Sequence, residues 1–110
     1  CQQPEGYWTR SLLDPEHAPG PETSGTAFFT YGLLWGMNNG FLDKATYQPV
    51  VEKAWKYLTT VALQPDGRIG YVQPIGEKAI PGQVVDANST ANFGVGAFLL
   101  AACEMVRFLN

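Results

Sequence analysis

After Glu22 the next charged residue is Asp43, and the apolar positions between them keep no face free for water. Ala27, Phe28, Phe29, Tyr31, Leu33, Leu34, Trp35 and Met37 fall on every side of a helical wheel, the pattern of a helix buried all round. Thr23 or Ser24 is expected to cap its first turn, with Glu22 just ahead as a charge that complements the helix dipole. Asn39-Gly40 closes it in residues that tolerate positive φ. Gly32 and Gly36 lie one turn apart on one side, as packing gaps or as room for a second backbone.

The next pattern is different. Asp43 is placed as an N-cap with Leu42 as its staple, and Pro49 fits only near a helix start, so regular helix is expected from about Thr46. Tyr47, Val51, Ala54, Leu58 and Val61 share one face, while Glu52, Lys53 and Lys56 share the other. This is an amphipathic surface helix. A third helix follows Asp86-Ala87-Asn88-Ser89-Thr90, which offers caps. From Phe93 to Leu109 only Glu104 and Arg107 are charged, so this helix too is expected to be mostly buried.

The connections are long. Cys1 to Pro21 is rich in Pro, Gly and polar residues and reads as a surface loop, a common setting for function. Its Tyr7-Trp8 pair is either a platform for a sugar ring or a plug that seats the loop. His17, the only histidine, lies between turn signals and reads as solvated. Pro65-Asp66-Gly67 predicts a tight turn and Arg68 to Val72 a short strand. Pro74, Gly76, Pro81 and Gly82 keep the following segment irregular.

Composition narrows the function classes. The 110 residues are 45% hydrophobic and 15% charged, the profile of one folded domain. A net charge of -3, with seven scattered Lys and Arg, argues against nucleic acid as a partner. The longest apolar run, Val95 to Ala102, is short for a membrane span, and no signal peptide is evident. Cys103 reads as a small core residue. Cys1 admits a lipidated N-terminus, but the absence of an initiator Met favours a chain that begins inside something longer.

These helices do not close a core by themselves. One amphipathic helix cannot cover two that are apolar all round, and each large side chain left wet forgoes about 1.5–3 kcal/mol. A typical domain has only about 5–15 kcal/mol of stability in total. Further helices of a longer chain, or other copies of this one, are expected to cover the two. Inner all-apolar helices alternating with outer amphipathic ones are what a ring of helical hairpins needs.

Eight stretches then resemble, in order, the C-terminal third of the unsaturated rhamnogalacturonyl hydrolases, glycoside hydrolases of family 105 akin to the unsaturated glucuronyl hydrolases of family 88. They are Gly6-Tyr7-Trp8, Ser11-Leu12-Leu13-Asp14-Pro15, Pro21 to Phe28, Trp35-Gly36-Met37-Asn38-Asn39-Gly40, Ala54-Trp55, Gln64-Pro65-Asp66-Gly67, Tyr71 to Gly76 and Phe93 to Ala101. The resemblance covers nearly the whole chain. It implies an all-α fold, part of an (α/α)6 barrel with long loops, with residues 1–110 forming one C-terminal segment. It implies removal of an unsaturated uronic acid from the non-reducing end of pectin-derived oligosaccharides. In that family an aspartic acid protonates the C4=C5 double bond and water adds at C5, with no metal or other cofactor.

The family's acid and its partner aspartate lie on earlier hairpins, and no catalytic residue is identifiable here. What the resemblance leaves to this chain is pocket wall, from Trp8, from Glu22, Thr23 and Ser24 at one inner-helix start, and from Thr90, Asn92 and Phe93 at the other. Their hydroxyls, amide and helix N-termini are suited to a sugar hydroxyl or a uronate carboxylate. Plain capping is the other reading of Ser24 and Thr90. The family often places an acidic residue and a Tyr after the Thr preceding its last Gly-Val-Gly, and Ala91, Asn92 and Phe93 supply neither. A non-catalytic carbohydrate-binding module and a self-associating scaffold are the alternative functions. The resemblance suggests a cytoplasmic setting, with periplasmic or secreted as the alternative.

Overall fold

A computed structural model describes all of residues 1–110. Three α-helices carry the fold: α1 (Thr23–Asn38), α2 (Lys44–Tyr57) and α3 (Asn92–Leu109). A π-helical turn, Leu58–Ala62, extends α2. The predicted strand at Arg68 to Val72 does not form: the only pairing there is an isolated bridge between Leu63 and Ile69. The tight turn does form, with Gln64 N–H donating to Arg68 O at 2.8 Å and Gly67 N–H to Gln64 O at 2.9 Å.

The helices α1 and α3 run parallel. Ser24 and Phe93, near their first turns, border the same cleft. At their far ends the Asn38 amide donates to Glu104 O at 3.0 Å and to Glu104 Oε2 at 2.8 Å. The helix α2 runs back between these ends, since Leu42 packs on Gly36 while the Tyr57 hydroxyl reaches Thr23 at 2.7 Å. Two largely apolar helices thus lie parallel, and the amphipathic helix returns along one flank of the pair.

Small residues set the closeness of α1 and α3. On α3, Gly94, Ala97, Ala101 and Met105 face inward, spaced by three or four residues. Gly94 also makes room for the connection ahead of α3, since a methyl group there would come within 2.5 Å of Val72 Cγ2. On α1 the inward face includes Thr23, Thr26, Ala27, Thr30, Leu34 and Met37. Thr26 and Thr30 bury their hydroxyls by donating back to Glu22 O and Thr26 O, each at 2.7 Å, so a polar residue fits the core without an unpaired group. One core cluster joins Ala27, Tyr57, Leu58, Ala62, Ile69, Val72 and Ala97, and a second joins Leu34, Met37, Val51 and Met105.

Burial all round was expected of α1 and α3, and this chain supplies it on one side only. Phe28, Phe29 and Trp35 of α1 are 48%, 39% and 42% exposed. Leu99, Leu100, Val106 and Leu109 of α3 are 44–75% exposed. The reason is geometric: α2 covers one flank of the pair, and no other helix of the chain covers the rest. Cys103 lies on this open side, in a shallow apolar depression with Leu99 and Leu100, and is not a core residue. Both cysteines are free thiols. By length and mean hydropathy α3 also meets the minimum for a membrane span, which counting the uninterrupted apolar run had missed.

Three further expectations are adjusted. The helix α2 begins at Lys44, and Pro49 sits inside it. Asp43 caps it as expected, accepting from Thr46 N–H at 2.9 Å and from the Thr46 hydroxyl at 2.7 Å. Val61, expected on the buried face, is 42% exposed. The π turn widens the helix after Tyr57, so the 3.6-residue phase that carries Leu58 inward no longer carries Val61 there. Gly36 makes room for the Leu42 side chain and not for a backbone, while Gly32 meets no atom within 4 Å.

Candidate cleft at the helix N-termini

The first turn of α1 is capped by Glu22, not by Thr23 or Ser24. With extended backbone at φ -132°, Glu22 turns its carboxylate over the helix end. It accepts from Ser24 N–H at 3.0 Å and Gly25 N–H at 2.7 Å. The Ser24 hydroxyl donates to the same carboxylate at 2.8 and 3.0 Å, and Gln73 N–H adds a bond at 2.9 Å from the long connection. Glu22 is 2% exposed, and the helix-start donors are spent within the protein, those of Ser24 and Gly25 on Glu22 and the Thr23 N–H on Tyr71 O. The acid therefore holds the scaffold together, and the α1 N-terminus is closed to a substrate carboxylate.

Thr23 is likewise committed. Its hydroxyl donates to Gly70 O at 2.6 Å and shares a 2.7 Å hydrogen bond with the Tyr57 hydroxyl. Burial pushes the Tyr57 phenol well above the usual tyrosine range, and its hydrogen bond with Thr23 offsets only part of that. Tyr71 crosses above this pair with a positive φ of 62°, held from both sides. Its N–H donates to Asp86 O at 2.8 Å and its carbonyl accepts from Thr23 N–H at 2.7 Å. Val72 N–H then reaches Ser89 O at 2.9 Å, which ties the α1 start to the approach to α3.

These bonds set out a cleft of about 350 Å³ over the common end of α1 and α3. Ser24 and Phe93, at the helix starts, form its floor, and segment 73–80 with Arg10 and Gln83 its walls. A second hollow, about 520 Å³, adjoins it across Gln73, Pro74, Ile75 and Phe93 and includes Ser89 and Thr90. Of the seven residues singled out by sequence, Ser24 and Phe93 meet in the cleft, and Thr90 joins Phe93 in the adjoining hollow. Glu22 and Thr23 lie buried behind the floor. Asn92 is exposed and lines neither hollow.

Thr90 caps nothing. The N-cap of α3 is Ala91, which offers no side-chain bond. Asp86 and Ser89 spend their side chains on their own turn, with Asn88 N–H donating to Asp86 Oδ1 at 2.9 Å and Asp86 N–H to Ser89 Oγ at 3.0 Å. Trp8 lies on another flank, beside Phe28, Phe29, Gly32 and Leu33. Its backbone N–H donates to the Thr26 hydroxyl at 3.0 Å and its ring meets Phe29 edge-on at 5.1 Å. It seats the N-terminal loop on α1, as Tyr7 does against Tyr57 at 5.5 Å. His17 is exposed in the Asp14–His17 turn. No three His, Cys, Asp or Glu side chains gather into a set able to hold a metal ion.

Arg10, Gln73 and Gln83 were not found by sequence reasoning. Arg10 follows Trp8 by two residues in the N-terminal loop and lines the cleft. The pairing of Arg10 with Gln83 spans 73 residues and carries no local signal.

The profile described as Glycosyl Hydrolase Family 88 matches residues 1–109. An unsaturated 3S-rhamnoglycuronyl hydrolase of Formosa agariphila is 46% identical over 106 residues, which is 96% of this chain and 27% of that protein. A solved family 88 glycosyl hydrolase from Bacteroides vulgatus is 79% identical, with a TM-score of 0.93 over 98% of this chain and 31% of its own. Another solved structure, described as a polysaccharide lyase, is 89% identical with a TM-score of 0.92, over 99% of this chain and 31% of its own. The chain thus spans less than a third of the length of the relatives it matches. The motifs pointed to family 105 with family 88 as its kin, and on the profile match this chain belongs to Glycosyl Hydrolase Family 88.

Proposed function

We propose that this chain forms one wall of the active-site cleft in a glycoside hydrolase that removes an unsaturated uronic acid from the non-reducing end of an oligosaccharide. The observation that carries the reading is the parallel pair α1 and α3, whose first turns meet under a single cleft with Ser24 and Phe93 on its floor. The open apolar sides of both helices support a part of an (α/α)6 barrel, completed by helices outside these 110 residues. Names of relatives support the substrate class.

In this reading the chemistry is protonation of the C4=C5 double bond and addition of water at C5, followed by collapse of the hemiketal. The proton donor comes from outside this chain. Glu22, the one carboxylate behind the cleft floor, is held as a cap by Ser24, Gly25 and Gln73. The residues present orient the sugar: Phe93 offers an apolar surface, Ser24 beside it an acceptor oxygen, and Gln73 and Thr90 polar side chains.

The test is to incubate an unsaturated uronyl-rhamnose disaccharide with the longer enzyme that carries this segment and to follow the ultraviolet absorbance of the double bond. The longer enzyme is expected to abolish the absorbance and the 110-residue chain alone to leave it. Gain of absorbance from a saturated polysaccharide would mark the elimination chemistry of a lyase and overturn the proposal.

A further inference from the structure

The cleft contains a cation that the reaction above does not use. Arg10 donates through Nη1 to Gln83 Oε1 at 3.0 Å and Ile80 O at 3.4 Å, and through Nη2 to Gln83 O at 3.4 Å. All three acceptors are neutral. The two ion pairs of the chain, Arg68 with Asp66 and Arg107 with Glu104, do not involve it. A guanidinium has five N–H donors in a planar fork. Three are engaged, which leaves the Nε–H and one Nη2–H without a protein partner. Nε and Nη2 share one edge of the group, the edge that grips both oxygens of a carboxylate.

The surrounding charges favour an anion there. Lys78 and Glu77 border the same cleft and offset each other, so the charge of Arg10 is its surplus. The α1 N-terminus does not compete for that anion, because the Glu22 carboxylate already occupies its N–H groups.

We propose that Arg10 binds the carboxylate of the uronic acid sugar side-on through Nε and Nη2, with Gln83 as the positioning residue that fixes the guanidinium plane. The assignment rests on the functional reading above for the identity of the sugar. It is tested in the longer enzyme, with Arg10→Gln, Arg10→Lys and Gln83→Ala assayed on an unsaturated uronide and on its methyl ester. Arg10→Gln is expected to raise KM for the acid by about ten- to a hundredfold, the worth of a charge-assisted bond, with kcat little changed. Arg10→Lys keeps the charge but not the fork and should recover only part of that loss. Gln83→Ala should fall between wild type and Arg10→Gln. On the ester, wild type and Arg10→Gln should converge.

Equal losses on acid and ester would make Arg10 a structural clasp and overturn the proposal. If Arg10→Gln fails to fold, the wild type and Arg10→Lys still decide it, since the ester should erase their difference too. A wild-type enzyme with no turnover of unsaturated uronides would sink the functional reading separately. Calorimetry with galacturonate would then judge Arg10, and equal affinity in wild type and Arg10→Lys would overturn its role.

Discussion

Among single residues, Glu22 carries the most of the structure around the cleft. Glu22→Gln puts an amide NH2 where donors already point, and the unmatched bonds should cost about 1–3 kcal/mol, read from urea unfolding. Tyr57→Phe removes only the hydroxyl partner of Thr23 and should cost about 1 kcal/mol in the same measurement. Asp43 titrates at the other end of the fold. Its hydrogen bonds from Thr46 hold its carboxyl below the usual aspartate range. A folded value below the unfolded one means that the gain is present above the unfolded pKa and fades as pH falls through the folded one. Thermal unfolding should therefore show a loss on the acid side of pH 4 that is reduced in Asp43→Asn. The Asp43 cap was legible because it is local in sequence. The Glu22 cap was missed because Thr23 and Ser24 are better caps by type, and the added bond from Gln73, 51 residues away, has no local signal.

The helices test how far propensity governs this fold. Gly32 and Gly36 are both inside α1, where alanine is the better helix former. Gly32→Ala meets open space in this chain and should add about 0.5–1 kcal/mol. Gly36→Ala would press on Leu42 Cδ1 at 2.6 Å and should be destabilising, with urea midpoints moving in opposite directions. Equal shifts would show that the Leu42 contact is soft. The existence, order and amphipathic character of the helices were readable from periodicity. The π turn was not, because Leu58 to Ala62 fits an α-helical pattern and the widening appears only where Ala62 is drawn into the core beside Ile69 and Val72. The expected strand failed for a related reason. Gly70 and Val72 spend their N–H groups on Ala62 and Ser89, and no neighbouring strand is available to take them.

For the whole molecule, the uncovered aromatic and aliphatic side chains of α1 and α3 govern behaviour in solution. The isolated chain should self-associate at micromolar concentration by light scattering, and Phe28→Glu with Leu100→Glu should reduce that association. A monomeric wild-type chain would show these faces to be tolerated in water. The apolar excess was visible in the sequence. Its division into a covered and an open side was not, since that depends on where α2 lies against the pair. The self-contained cap at Glu22 has an evolutionary corollary. The framework neutralises its own helix end, so the electrostatic preference of the mouth is left to the loops around residues 10, 78 and 83. Homologues specialised for differently charged sugars should diverge there while conserving the acid at 22, and swapping those loops between homologues should exchange their substrate tastes without unsettling the frame.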